Sequence, residues 1–490
     1  MSKHISMGVR RKRWLASAGV VVAAVGLAML VAAGSARAES PNDFVYRVSP
    51  FVQPTDTPGG TNAFTNPFCS TRNGLPTLVC YGPGDIKTAY NYPAGLDGSG
   101  QTIVIVDAYG SPTVQEDLAA FDTKFALSAP PGGLQVVCPA GCPTFNPRDT
   151  FHNVLGWAEE TSLDVQWAHA MAPGAKLILV VAPSSSGDAI NSVEAKIFAD
   201  PAYSGAIVSQ SFGIPEFLVH GNNAQILQGV RNYQLARQNG MTVLASSGDF
   251  GATNGAATQN AGFPASDPDV TAVGGTEGNP YFNGRAGSGG LPLPTCAANT
   301  PCSLGLAMVK CTTLTVPGPT TAATAVCPTI GYGGEQTWNE PFLPASGGGA
   351  ASLLFAAPAY QTGDGSGSTA RTIPDLSYNA SVSGGVLVHL GFAGLSGFFI
   401  FGGTSAGSPQ MAAVMALSDQ AHGSNLGFVN TKLYSIAESA SYAADFHDIT
   451  VGNNEQLGTP TGNTAAVGYD LATGWGTPNV ANLVADLAKP

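Results

Sequence analysis

The sequence predicts an α/β fold, a doubly wound and mostly parallel central sheet with helices on both faces. Two observations carry that expectation. Short, nearly continuous apolar runs of strand length alternate with longer helical segments, and such alternation builds a parallel sheet covered on both sides. The runs also end in an acid, glycine or serine, where an open parallel sheet places its reactive loops.

The elements follow in order. Residues 39–80 are rich in Pro, Thr and Asn without apolar period, which predicts an extended arm closed by a small disulfide loop. From Gln101, QTIVIVDAYG reads as a buried strand, and PTVQEDLAAFDTKFAL as a helix with Pro112 at its start. Strands are then expected at 176–182, 205–209 and 241–246, with helices at 188–198 and 222–238. Between 278 and 331 the alternation stops. Four cysteines and many Pro and Thr residues predict a surface insert held by two disulfides. Beyond it, NEPFLPASGGGAASLLF reads as a glycine-rich turn entering a short helix, and 371–380 and 384–389 lead to the strand LSGFFIF. Helices at 430–438 and 479–487 close the chain.

With 490 residues the chain can build one large domain with additions. Residues 1–38 carry Arg10, Arg11, Lys12 and Arg13, an apolar run to Ala33 and the small-x-small site Ala36-Arg37-Ala38. This pattern predicts a cleaved secretory signal, with an uncleaved anchor as the alternative. Its removal takes six of 20 basic residues and no acid, leaving 14 against 32 and a net charge of −18. That balance excludes nucleic acid and anionic lipid as partners and suits an acidic medium. The mature chain is therefore expected to be secreted, monomeric and free of stable membrane association. Eight cysteines in an exported chain point to disulfides. The nearest-neighbour pairs are 69/80, 138/142, 296/302 and 311/327, and other connectivities stay open.

The candidate nucleophile is Ser405, in FGGTSAGSP just before the apolar segment QMAAVMALSDQA. A serine at a helix start has exposed N–H donors and the positive dipole end beside it. Simple helix capping is the alternative. A serine hydroxyl needs a base, usually histidine, and no histidine here has a fitting context. Glu160 and Asp164, four apart in WAEETSLDVQWAHAMAP, share one helix face among apolar neighbours. Close carboxylates shift each other's titration, so Glu160 can accept the serine proton while Asp164 orients it. A solvated acidic helix start is the competing reading. Asp249 in VLASSGDFGA lies where a strand runs into a turn. Protonated, it can donate to a developing oxyanion; alone, it is an ordinary turn aspartate.

ETSLD, SSGD and GGTSAGSP, in this order, resemble the sedolisin family of serine-carboxyl peptidases, which share the subtilisin fold and use glutamate in place of histidine. FPASDPDVTAVGGT, SGGGAAS, IPDLS and ATGWGTPN extend the likeness from about Tyr81 to the C-terminus. The resemblance implies a subtilisin-like peptidase domain over 81–490, with Ser405 as nucleophile, Glu160 as general base, Asp164 as its orienting partner and Asp249 as oxyanion donor. Asp107 matches a position that extends the acid hydrogen-bond chain. The resemblance also implies one structural Ca²⁺, held by Asp448 and Asp470 through side chains and by Ile449, Ala466 and Gly468 through carbonyls. Protein or peptide substrates are implied, cleaved at acid pH.

Family members carry a long propeptide, whereas only about 40 residues separate the signal from Tyr81 here. A non-catalytic secreted binding protein and an esterase using Ser405 are the rival functions.

Overall fold

The computed structural model describes residues 44–54, 68–69, 78–219, 223–278, 299–311, 327–340, 343–456, 458–459 and 461–490. The signal lies outside them, as do parts of the arm and of the insert. The described residues belong to one compact unit. No helix among them is long and apolar enough to cross a membrane.

The central sheet has eight strands: β1 (Thr102–Ala108), β2 (Gln135–Val137), β3 (Lys176–Ala182), β4 (Ile207–Gln210), β5 (Thr242–Ser246), β6 (Thr271–Gly278), β7 (Glu335–Thr337) and β8 (Leu376–Asn379). Their spatial order is β7-β6-β5-β4-β1-β3-β2, with β8 also pairing β6. All pairings are parallel except β6 with β7.

The apolar runs show no alternation because both faces are buried, and the side chains still divide by parity. Ile103, Ile105, Leu177, Leu179 and Val181 face one core. Val104, Val106, Ile178 and Val180 face the other. The first core is covered by α1 (Val114–Phe125), α2 (Val154–Met171) and α5 (Gly407–His422), the second by α3 (Gly187–Ala199) and α4 (Asn223–Gln238). This is the doubly wound arrangement that strand–helix alternation predicts.

A second, five-stranded sheet runs in the order 51–54, 397–402, 385–390, 78–81, 68–69. It docks on α2: Trp167 Nε1 donates to the Leu387 carbonyl, and Gln166 bonds both the N–H and the carbonyl of His389. Strand 397–402 therefore ends beside α2, and Ser405 follows three residues later.

Three expectations change. Residues Ala350–Ala356 are a strand paired antiparallel with Ala370–Ile373, not a helix; Leu353 and Leu354 can alternate across a ribbon where one apolar helical face would not form. Residues 371–380, expected only to lead toward the strand LSGFFIF, carry the strands Ala370–Ile373 and Leu376–Asn379, interrupted at Pro374, which has no N–H to give a ladder. The described part of the 278–331 insert is more than a surface excursion. Pro301–Leu304, Ala307–Lys310 and Thr329–Tyr332 form a three-stranded antiparallel sheet, and Leu304, Leu306, Ala307 and Val309 are fully buried in the first core. Alternation too short to stand out among Pro and Thr concealed it.

Cys138–Cys142 and Cys311–Cys327 are disulfide-bonded. Cys80 and Cys302 are also in disulfides, and their expected partners, Cys69 and Cys296, have no described side chains.

Candidate active site

Ser405 sits in a single turn, Thr404–Ala406, that feeds directly into α5. Neither Thr404 nor Ser405 caps the helix through its side chain. Ser405 is 4 % exposed, and its hydroxyl is 3.5 Å from the Ser211 carbonyl, a long hydrogen bond.

Glu160 and Asp164 lie on α2, which is buried on nearly every side. Both are 0 % exposed, so the solvated-helix reading fails. Burial pushes Glu160 well above the usual carboxylate range; the Ser405 hydroxyl partly opposes this, and the charges of Asp107, Asp249 and Glu159 add to it. No full hydrogen bond joins Glu160 to Ser405, however, and both Glu160 oxygens lack partners. Active-site bonds are often this loose without substrate and tighten in the complex.

Asp164 is raised by burial first, then by Asp107 and Glu160. Its Oδ1 accepts a 2.8 Å bond from the Ser211 hydroxyl and its Oδ2 has no partner. Asp107, at the end of β1, is pushed up to about 7 by burial, with Thr161 opposing. Neither of its oxygens makes a hydrogen bond. Asp107 thus joins the cluster through its charge, not as a link in a hydrogen-bond chain, which corrects that part of the expectation. Three buried carboxyls with five unpaired oxygens cannot all ionise together.

Asp249 follows β5 at the carboxyl edge of the sheet. Its Oδ1 accepts two 2.8 Å bonds, from the Thr404 N–H and the Thr404 hydroxyl. Burial raises it to about 6, against these two bonds. The second oxygen, Oδ2, points at Gly403: a Cβ there would lie 3.0 Å from it, and φ is +119°. Only glycine lets the chain pass this close in that conformation. The SGGGAAS segment backs the loop, with the Ser346 and Gly348 N–H groups donating to the Asp249 and Gly248 carbonyls.

The described histidines are engaged elsewhere. His169 bonds the Ser128 carbonyl, His389 pairs with Asp117, His152 with Asp149, and His447 stacks on Tyr332.

The profile of the subtilase family matches residues 154–476. Kumamolisin of Bacillus sp. is 30% identical over 421 residues, covering 83% of this chain and 63% of the relative. Sedolisin of Pseudomonas sp. is 26% identical over 424 residues, covering 84% and 61%. The chain belongs to the sedolisins, within the subtilase family.

This sedolisin spans less than two thirds of the length of those curated relatives. A solved structure of Pseudomonas sedolisin, a serine-carboxyl proteinase complexed with two molecules of pseudo-iodotyrostatin, superposes with a TM-score of 0.63 at 23% identity, covering 83% of this chain and 98% of that one. The subtilisin-like fold is therefore shared.

Two residues of the sedolisin's site escaped sequence reading. Ser211 touches both Asp164 and Ser405, and its only signal was its place at the end of β4. Glu159, raised to about 7 by burial, flanks Glu160; in sequence it is one more helix acid.

The residues expected to bind calcium are brought together by the 466–470 loop. Asp448 accepts from the Gly468 N–H and the Tyr442 hydroxyl, and Asp470 Oδ2 accepts from the Ala466 N–H. Burial raises Tyr442, and the charges of both acids add to the rise. Among the described residues no cluster of three or more His, Cys, Asp or Glu side chains could hold a metal. An ion here must therefore draw on carbonyl oxygens as well. The carbonyls of Ile449, Ala466 and Gly468 accept no hydrogen bond among the described residues, so the set fits a hard, oxygen-seeking cation.

Proposed function

We propose that this chain is a secreted, acid-acting serine-carboxyl peptidase that hydrolyses peptide bonds through an acyl-enzyme. The observation that carries the reading is the complete burial of Glu160 and Asp164 on the face of α2 beside the Ser405 turn. Acids are not buried unpaired without a use that offsets the cost.

In the proposed reaction Ser405 Oγ attacks the substrate carbonyl and its proton passes to Glu160. Asp164, coupled to Glu160 and held by Ser211, keeps that carboxylate oriented. Negative charge builds on the carbonyl oxygen. Asp249 has Oδ1 saturated by Thr404, so its proton resides on Oδ2 and is donated to the oxyanion. As the C–N bond breaks, Glu160 returns its proton to the leaving amine. Water then repeats the cycle on the Ser405 ester, with Glu160 again as base, and the acid product leaves.

The Asp249 proton sets an upper pH limit in this reading. Glu160 must be ionised and Asp249 protonated, and Asp249 loses its proton near 6. Activity therefore falls as Asp249 ionises, while the burial that raises Glu160 narrows the window on the acid side. At pH 4 a histidine base with pKa ~6.5 would be almost wholly protonated, whereas a carboxylate can still serve.

Calcium fits the same reading as a structural ion, with Asp448, Asp470 and the carbonyls of Ile449, Ala466 and Gly468 as its oxygens. It would supply positive charge that ties the 466–470 loop to 448–449.

Parallel assays on a casein-type protein and a nitrophenyl ester at pH 4 test the function. Peptide cleavage lost in Ser405→Ala and Glu160→Gln, by at least ~10³-fold, is expected. Ester cleavage alone would make the chain an esterase, and neither activity would make it a binding protein.

A further inference from the structure

One cavity shares no residue with the Ser405, Glu160, Asp164 and Asp249 cluster. It measures about 450 Å³, within the range of small-molecule sites. Three parts of the chain enclose it: the end of the short helix Pro83–Ala89 with the residues after it, the insert strand Thr329–Tyr332, and His447 with Asn479. The Thr329 hydroxyl donates a 2.7 Å bond to Asp85 Oδ1, which fixes the insert strand against the helix as one wall.

Lys87 supplies the charge of the lining. It is half-buried, and burial pushes its ammonium down to about 8, so it stays charged in acid and neutral media. Among the described residues no hydrogen bond or ion pair holds it. Asp97 is the acid whose charge acts on it, but Asp97 Oδ1 is taken up by Ser99 and Gln420. In a chain with 32 acids against 20 bases, this ammonium is partly out of water and still unpaired. An incoming anion relieves that cost through a charge-assisted hydrogen bond.

The rest of the lining reads more than charge. The Tyr92 N–H folds back to the Lys87 carbonyl at 2.8 Å, which brings Asn91 beside Lys87. Asn91 Nδ2 donates to Asn479 Oδ1 at 2.8 Å. That bond leaves Asn91 Oδ1 as a free acceptor and Asn479 Nδ2 as a free donor among the described residues. A peptide amide offers one N–H and one C=O, the complement of this pair. The opposite wall is apolar. Ile330 is exposed, and the Tyr332 ring lies parallel to His447 at 3.7 Å, a flat surface that a side chain can cover.

We propose that this cavity binds the C-terminal residue of a peptide, with its α-carboxylate on Lys87, its amide between Asn91 and Asn479, and an apolar or aromatic side chain over Ile330 and Tyr332. Every peptide ends in such a carboxylate, so the proposal stands whether or not this chain cleaves peptides.

The test uses the full chain carrying Ser405→Ala, at about pH 5.5, with N-acetyl-phenylalanine as the probe. Hydrogen exchange of the 86–92 and 329–332 amides reads this cavity and not the catalytic cleft. Protection should saturate with a Kd on the order of a millimolar, as suits a ligand of that size. N-acetyl-phenylalaninamide lacks the charge and N-acetylglycine lacks the side chain, and each should bind about tenfold or more weakly. Lys87→Met should weaken the probe to the same extent. Asn91→Gly, which the φ of +55° at this position tolerates, should weaken it about threefold or more.

An acid that binds no better than its amide, or protection unchanged by Lys87→Met, overturns the proposal. Octanoate binding as tightly as N-acetyl-phenylalanine also overturns it, since a fatty acid has no amide to be read. Acid and amide are compared on the same protein, so a variant that folds poorly does not remove the answer.

Discussion

The Ser211 hydroxyl donates a 2.8 Å hydrogen bond to Asp164 Oδ1. This is the only donor that Asp164 has among the described residues, and it opposes the rise that burial and the Asp107 and Glu160 charges impose. Ser211→Ala removes it. The ionised form of Asp164 loses support, its proton is held to higher pH, and the cluster ionises later. The acid limb of the kcat/KM profile should move upward and kcat should fall about tenfold, with KM changed less than about twofold. A limb that stays in place would show that Ser211 merely fills space.

In the proposed reaction Asp249 sets the opposite limb. Because Thr404 takes both bonds to Oδ1, only Oδ2 is free to donate, and only below about pH 6. Asp249→Asn puts an amide N–H, which never ionises, where that proton sits. Activity of this variant should persist above pH 6, where the parent loses it. Asp249→Ala keeps no donor and should cost roughly 10²- to 10³-fold at every pH. Peptide hydrolysis by the three proteins between pH 3 and 8 checks both. An unchanged alkaline limb in the asparagine variant would falsify the oxyanion role.

Why Glu160, Asp164, Asp249 and Ser405 were legible, and their helpers were not, follows from the physics of each signal. The four lie at strand ends or on one helix face, and both are local patterns. Ser211 acts through a carbonyl and a hydroxyl across 194 residues of chain, and no local pattern marks that. Asp375 shows the same limit. The sequence marks it only as part of IPDLS, yet it holds the fully buried Arg371 through two 2.6 Å bonds and accepts from Tyr434 and Ala272 as well. The strand Ala350–Ala356 was misread because three glycines followed by a short apolar run have no period to distinguish strand from helix. The arm was read as extended, but composition could not tell that it pairs on both edges.

The buried acids make the fold itself pH-dependent. Burial raises Asp107, Glu194 and Asp267 to about 7 and Asp85 and Asp249 to about 6. In the unfolded chain these groups titrate near their ordinary values, about 3.9 to 4.3. Between the two ranges the folded state holds more protons, so stability falls as pH rises. The contribution is complete below about pH 4 and is lost progressively through 6 to 7. Melting temperature of the Ser405→Ala protein, which cannot digest itself, should be highest near pH 4 and decline to pH 8. Glu194→Gln removes one titrating group and should flatten the decline. A melting temperature that rises from pH 4 to 7 would show these carboxyls ionised in the fold at low pH.

The proposed calcium site separates into a metal contribution and a loop contribution. Asp470 Oδ1 accepts from the N–H groups of Ala472 and Thr473 at 2.8 Å and so shapes its own turn. Its removal costs stability with or without an ion, about 1 kcal/mol per lost bond. Asp448 is the cleaner probe, since it accepts only from Gly468 and Tyr442 among the described residues. Asp448→Asn keeps an acceptor for those donors and halves the charge offered to a cation. The parent should retain about one Ca²⁺ per chain after dialysis and lose melting temperature on chelation. An ion at a hundredfold excess over Kd stabilises by about 2.7 kcal/mol. In Asp448→Asn both the bound metal and the chelator effect should be largely lost, while stability in chelator matches the parent's. Metal analysis beside melting curves reads both quantities. A parent that carries no calcium and melts identically in chelator would leave Asp448 and Asp470 as the hydrogen-bonded corners of a turn.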